Sequence, residues 1–227
     1  MLRFLWLTLL PPFSRPADTL AVPVHEVPAA APGSTLALFL SGDGGWAGFD
    51  QDVAAGLADR GIPVVGVDLR RYLQKRRSPE EAAADLGSVA AGYLARWGAH
   101  RLVVVGYSRG ADIASLVVRR LADSVRVRVA LVAMLGLGYH AGFHVSLFDL
   151  MRTTTSDKDF PILPELQALR AGGIPLLCVF GADEKESLCR DAPEGLMDRV
   201  RRPGGHHFDG DRAALAGVIA ARAGLGP

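Results

Sequence analysis

From about residue 34 onward the chain alternates between short apolar runs and longer stretches with helical spacing. Leu36–Leu40 (LALFL), Ile62–Leu69 (IPVVGVDL), Leu102–Tyr107 (LVVVGY), Val125–Leu135 and Pro175–Phe180 read as strands, with Arg199–Arg202 as a last one. Most are apolar at successive positions, so both faces of each strand are expected to be covered. Continuous β-branched runs separated by helices describe a parallel sheet with helices on both sides. The intervening helices are expected over Phe49–Leu57, stopped by Gly61, then from Pro79 to about Trp97, over Arg109–Leu121 and over Asp209–Ala223. Ser78-Pro79-Glu80-Glu81 is a helix start, with Ser at the N-cap, Pro in the first helical position and acids in the first turn.

Two segments break the rhythm. Asp18–Ser34 carries Pro23, Pro28 and Pro32 and reads as an exposed lead-in with one short edge strand over Leu20–Val24. Gly138–Gly173 is irregular and holds several aromatics and acids; above a parallel sheet it would form a small cap over the strand C-termini. The expected architecture is a single α/β domain over residues 18–227.

Composition narrows the function classes. The chain has 227 residues, 49% hydrophobic and 22% charged, which suits one domain with a full core. A formal net charge of +1 argues against a broad nucleic-acid surface, which needs a basic stripe to release counterions. There is no zinc-type Cys/His spacing, no Walker loop and no GxGxxG. At the N-terminus, Arg3 precedes the apolar core Phe4–Leu10, which Pro11, Pro12 and Pro16 terminate before Ala17. That pattern resembles an export signal over residues 1–17 and is too short to span a bilayer stably.

The central chemical signal is Gly106-Tyr107-Ser108-Arg109-Gly110, set between a Val-rich strand and a helical pattern. A GxSxG in that context is a nucleophile elbow, a turn so tight that small residues must flank the serine. It raises the Ser108 hydroxyl above the sheet and leaves the Arg109 N–H, at a helix N-terminus, to stabilise an oxyanion. A second oxyanion donor is expected from Ser41-Gly42-Asp43-Gly44-Gly45-Trp46, with Gly42 and Asp43 as candidates. Gly44, Trp46 and Tyr107, which belong to these two motifs, are candidate substrate contacts.

A serine needs a base at neutral pH. Gly204-Gly205-His206-His207-Phe208 follows the last strand, and the register favours His206, with His207 as the alternative. The acid is expected after Pro175–Phe180, where the chain reads Gly181-Ala182-Asp183-Glu184. Spacing selects Glu184, and residue type keeps Asp183 open. The order serine, acid, histidine is that of the α/β-hydrolase fold. Such chemistry needs no metal or organic cofactor. The close spacing of Cys178 and Cys189 fits a disulfide clipping the loop between them, which an exported protein would permit. The run Arg70-Arg71-Tyr72-Leu73-Gln74-Lys75-Arg76-Arg77 reads as a solvated loop or as a contact for anionic lipid headgroups at a membrane surface.

Several strings together resemble one family: SGDGGW (41–46), DLRRY…RRSPEEAAADL (68–86), GYSRGAD (106–112), PELQAL…PLLCVFGADEKESLC (164–189) and PGGHHFDGD (203–211). They are similar to the bacterial VirJ/AcvB virulence proteins, the single-domain VirJ form being the closer. The resemblance implies a periplasmic α/β-hydrolase linked to type IV secretion. It also implies cleavage of an aminoacyl ester of phosphatidylglycerol, such as lysyl-phosphatidylglycerol. The other expectations are a small soluble ester or thioester as substrate, or a non-catalytic adaptor of secretion components. A substrate ammonium would need a carboxylate, for which Asp43, Asp149 and Asp183 are available. Arg109 stands where the family carries an aromatic or apolar residue, so a cationic headgroup would feel its charge.

Overall fold

The structure, a computed structural model, describes residues 22–145 and 160–224. The expected export signal, the start of the expected edge strand at Leu20 and Ala21, and Asp149 lie outside the described residues.

Among the described residues, seven strands form one sheet in the order β1-β3-β2-β4-β5-β8-β9. They are β1 (Val24–Val27), β2 (Thr35–Leu40), β3 (Val64–Val67), β4 (Arg101–Tyr107), β5 (Val129–Leu135), β8 (Leu176–Gly181) and β9 (Asp198–Arg202). Only β1 runs antiparallel to its neighbour. Successive side chains on a strand point to opposite faces, and the two cores divide accordingly. Leu36, Leu38 and Leu40 of β2 pack on the side of α3 (Pro79–Arg96), α4 (Arg109–Arg120) and α6 (Leu163–Ala171), while Ala37 and Phe39 face α1 (Gly48–Ala58) and α8 (Arg212–Arg222). This double burial explains the unbroken apolar runs.

The helix start at Ser78 forms a reciprocal cap. Ser78 Oγ accepts the Glu81 N–H at 3.1 Å, and Glu81 Oε2 accepts the Ser78 N–H at 2.8 Å. Elsewhere turn chemistry overrides strand propensity. The run at Ile62 is a strand only over Val64–Val67, because the Asp68 carboxylate accepts the Arg71 N–H and caps a short helix, α2 (Leu69–Tyr72). Val125 lies not in a strand but in the helical turn α5 (Asp123–Arg126), which buries it and redirects the chain into β5. The lead-in strand is displaced from Leu20–Val24 to Val24–Val27. The last helix starts at Arg212, where Asp211 caps it, and Phe208–Gly210 forms a separate 3₁₀ turn.

The interval expected to be a cap contains regular structure at both ends. A two-residue pair, β6 (His140–Ala141) with β7 (Phe160–Pro161), stands apart from the main sheet. The helix α6 packs against α4 and belongs to the main layers. One further small helix, α7 (Leu188–Asp191), follows β8, and the Cys178–Cys189 disulfide joins the two elements.

Candidate active site

Ser108 sits where β4 turns into α4, with φ 52° and ψ −117°. That conformation is costly for a residue with a Cβ and persists only where surrounding structure imposes it. The flanking glycines show why: a Cβ on Gly106 would collide with the Gly110 backbone, and one on Gly110 with the Leu40 and Ser41 carbonyls. The Ser108 N–H donates to Leu135 O at 2.8 Å, tying the elbow to the end of β5. The Asp112 N–H makes the first intrahelical bond, to Ser108 O at 3.0 Å. The amides of Arg109, Gly110 and Ala111 precede it and so form the free positive end of α4.

His206 and Glu184 meet at the same, C-terminal, end of the strands. His206 Nδ1 lies 2.7 Å from Glu184 Oε1, and Glu184 Oε2 accepts the Gly181 N–H at 2.8 Å. The carboxylate is thus held at both oxygens, with its side chain only 8% exposed. Asp183 is exposed, and its contribution is from the backbone: its N–H donates to Gly204 O at 2.9 Å. A Cβ on Gly181 would strike the Gly204 and Gly205 carbonyls, so the acid loop and histidine loop are in direct backbone contact. The His206 ring lies against Gly136, whose added Cβ would stand 2.6 Å from Cε1. Ser108 and His206 therefore converge on the C-terminal end of β5.

His207 points elsewhere. Its Nδ1 lies 2.7 Å from the Tyr107 hydroxyl, and the Tyr107 ring stacks on Phe49 at 3.9 Å between centroids. Burial pushes the Tyr107 phenol up to about 12. Beneath them Phe208, fully buried with φ 55°, anchors the histidine loop in a conformation unusual for an aromatic residue.

Gly42-Asp43 lies against the elbow: a Cβ on Gly42 would sit 3.5 Å from Ser108 Cβ. Behind it Asp50, 3% exposed, accepts the Ala47 N–H at 3.4 Å. Burial raises the Asp50 carboxyl to about 6, offset in part by the facing Ala47 and Gly42 amides. Asp43 pairs through its carboxylate with the Arg109 guanidinium, and Arg109 Nη1 donates to Gly142 O at 3.3 Å. The charge of Arg109 is therefore matched locally, and its side chain spans from the Gly42-Asp43 loop to the chain after β6.

Two expected substrate contacts are engaged in packing instead. Tyr107 is buried, its ring on Phe49 and its hydroxyl on His207. Trp46 stacks with His25 at 5.6 Å and covers Gly66 in β3, two strands away from β4. Gly44 faces open space.

Asp112 stands in GYSRGAD one helical turn from Ser108, and nothing in the sequence marks it for a role. Its Oδ1 accepts the Gly138 N–H at 2.8 Å, bracing the loop that carries Gly136. Burial raises its carboxyl to about 7, against the favourable fields of Arg109 and His206. Asp50, Asp112 and Gly136 have no motif of their own. Their only signal was proximity to motif residues.

A family model described as bacterial virulence protein (VirJ) matches residues 34–223. No curated protein matches the sequence. Among solved structures, MenH from S. aureus superposes with a TM-score of 0.61 at 11% identity, covering 88% of this chain and 98% of that one. The esterase domain of a Rhodothermus marinus protein gives 0.58 at 14%, covering 87% and 89%. The type II thioesterase BorB from the borrelidin biosynthetic cluster gives 0.55 at 20%, covering 88% and 95%. At these identities the likeness is one of fold, the α/β-hydrolase fold.

Proposed function

Because the chain belongs to the bacterial VirJ virulence-protein family, we propose that it is a serine esterase that cleaves aminoacyl esters of phosphatidylglycerol through an acyl-enzyme on Ser108. The observation that carries the reading is the strained Ser108 elbow beside a His206–Glu184 pair held at 2.7 Å.

In this reading Ser108 Oγ attacks the ester carbonyl carbon while His206 Nε2 takes its proton. Glu184 fixes the imidazole tautomer and stabilises the imidazolium. The carbonyl oxygen, now an anion, is held by the Arg109 N–H at the start of α4 and by the Asp43 N–H. Gly42 is the weaker second donor, because its amide faces the Asp50 carboxylate. Collapse expels the glycerol oxygen of phosphatidylglycerol, which takes the proton from His206 and leaves as a free hydroxyl. Water then attacks the acyl-enzyme with His206 as base, releasing the amino acid and restoring Ser108. Asp43 is occupied by Arg109, and Asp183 faces solvent beside the acid loop, so neither is a ready partner for a substrate ammonium.

We also propose that the protein works in the periplasm. The Cys178–Cys189 disulfide supports this, since such bonds persist in oxidising compartments.

The test is hydrolysis of lysyl-phosphatidylglycerol in vesicles by the protein and its Ser108→Ala variant. Free lysine released by the wild type alone is the expected result. Ser108-dependent cleavage of p-nitrophenyl acetate without lysine release would reassign the enzyme to small soluble esters or thioesters. Inactivity on both substrates would overturn the esterase and favour an adaptor of type IV secretion.

A further inference from the structure

The basic run is used by neither the core nor the proposed reaction, apart from its anchors. Tyr72 and Leu73 are buried, and the Tyr72 hydroxyl donates to Asp85 at 2.8 Å. Arg77 pairs with the same carboxylate at 3.4 Å and lies 4.8 Å over the Tyr72 ring. The other four cations, Arg70, Arg71, Lys75 and Arg76, are exposed. Arg76 Nη2 lies 3.4 Å from His144 Nδ1, whereas Arg70, Arg71 and Lys75 make no ion pair among the described residues. Some arginines elsewhere are matched to acids, as in Arg96–Glu26, Arg120–Glu165 and Arg222–Asp198, whereas Arg128, Arg170 and Arg201 make no ion pair among the described residues. Among the described residues, three acids beside the run are engaged: Asp68 caps α2, Asp85 holds Arg77 and Asp43 holds Arg109. In a chain of net charge +1, these four exposed cations are a strong local excess.

The loop also has a fixed place beside the site. Ser41 Oγ accepts the Leu69 N–H at 3.0 Å, and a Cβ on Gly45 would stand 3.4 Å from Arg70 Cβ. On its other side the Val145 N–H donates to Leu73 O at 2.9 Å and the Arg77 N–H to Phe143 O at 3.0 Å. The cations therefore stand between the Gly42-Asp43 loop and the chain after β6, at the strand ends where Ser108 opens.

We propose that Arg70, Arg71, Lys75 and Arg76 dock the protein on an anionic lipid surface with the Ser108 site facing the bilayer. That orientation rests on Ser108 being the nucleophile; the docking does not. Exposed cations on a rim match a plane of phosphates, to which each contributes separately. Single-stranded nucleic acid is the poorer fit, because the aromatic residue of the run is buried and unavailable for base stacking, and the duplex is left to the test. With Leu73 also buried, the run offers no apolar wedge, and binding is electrostatic and sensitive to salt.

The experiment is co-sedimentation of the full chain with phosphatidylcholine vesicles with and without phosphatidylglycerol. The wild type is expected to bind only the anionic vesicles and to be released by added salt. Each cation changed to Gln is expected to lower the partition coefficient about fivefold, and all four together several hundredfold. The fourfold variant should still cleave p-nitrophenyl acetate, and Ser108→Ala should still bind, so docking and catalysis can fail separately. Undiminished binding by the fourfold variant, equal binding to neutral vesicles, or salt-insensitive binding of the wild type would overturn the proposal. So would capture by duplex DNA at a salt concentration that leaves the vesicles unbound.

Discussion

His206 Nδ1 lies 2.7 Å from Glu184 Oε1, and the other oxygen of that carboxylate is held by the Gly181 N–H. The neighbouring Asp183 is exposed. Glu184→Gln is therefore expected to lower kcat on p-nitrophenyl acetate by roughly three to four orders of magnitude, since an amide cannot hold the imidazole tautomer. Asp183→Asn should stay within about twofold of wild type, because its only role is through the backbone. Steady-state kinetics on both variants, with circular dichroism to check the fold, decide between the two acids.

The adjacent histidines divide in the same way. His206→Ala should remove the activity almost completely. His207→Ala should leave kcat within a few-fold and cost about 1 kcal/mol of stability, the worth of its bond to Tyr107. If His207→Ala is the inactive variant, the base has been misassigned.

Asp112 lies between the elbow helix and the loop that supports His206. Asn at this position can still accept the Gly138 N–H, so the loop should keep its place. Burial raises the Asp112 carboxyl to about 7, so its stability contribution falls as pH rises from the ordinary carboxylate range toward 7. Asp112→Asn is therefore expected to be more stable than the wild type above about pH 7, with kcat reduced only modestly. Urea unfolding on either side of that window, with no gain in the variant, would show that the buried carboxylate costs the fold nothing.

Asp50 carries a pH dependence of stability with an unusual sign. Folded, its carboxyl titrates at about 6, against 3.8 ordinarily. Between those values the folded chain binds more protons than the unfolded one, so this contribution to stability falls as pH rises through the window. Asp50→Asn should gain at most about 3 kcal/mol above the window and little below it. Urea unfolding of both proteins on either side of the window gives the difference directly.

The Cys178–Cys189 bond closes a short loop around the acid segment, with the two cysteines 11 residues apart. Loop-closure entropy puts its contribution at about 3 kcal/mol. Replacing both cysteines by Ala should lower the urea midpoint accordingly and, because Glu184 lies inside the loop, reduce kcat as well. A drop in stability without any change in kcat would confine the bond to a purely structural role.

The sequence by itself determined the layers of the fold and the order of its chemical groups. Runs such as LALFL and LVVVGY are buried on both faces, and that demand is local enough to read without coordinates. The elbow was legible for the same reason, since Gly106 and Gly110 are required by contacts within or beside a single turn. Ser78 and Glu81 announced their helix because a cap is made within four residues. Propensity failed where the chain had to turn: Val125 is β-branched, yet it lies in the helical turn that leads into β5.

Tertiary structure decided the rest, because a one-residue choice depends on which side chain faces a partner far along the chain. Glu184 rather than Asp183 meets His206 because Gly181 brings two loops into backbone contact. Tyr107 and Trp46, expected at the substrate, serve as packing because Phe49 and Gly66 lie beneath them. Asp50 and Asp112 acquire unusual acidities only once folding surrounds them with protein, and no pattern of neighbours along the chain encodes that enclosure.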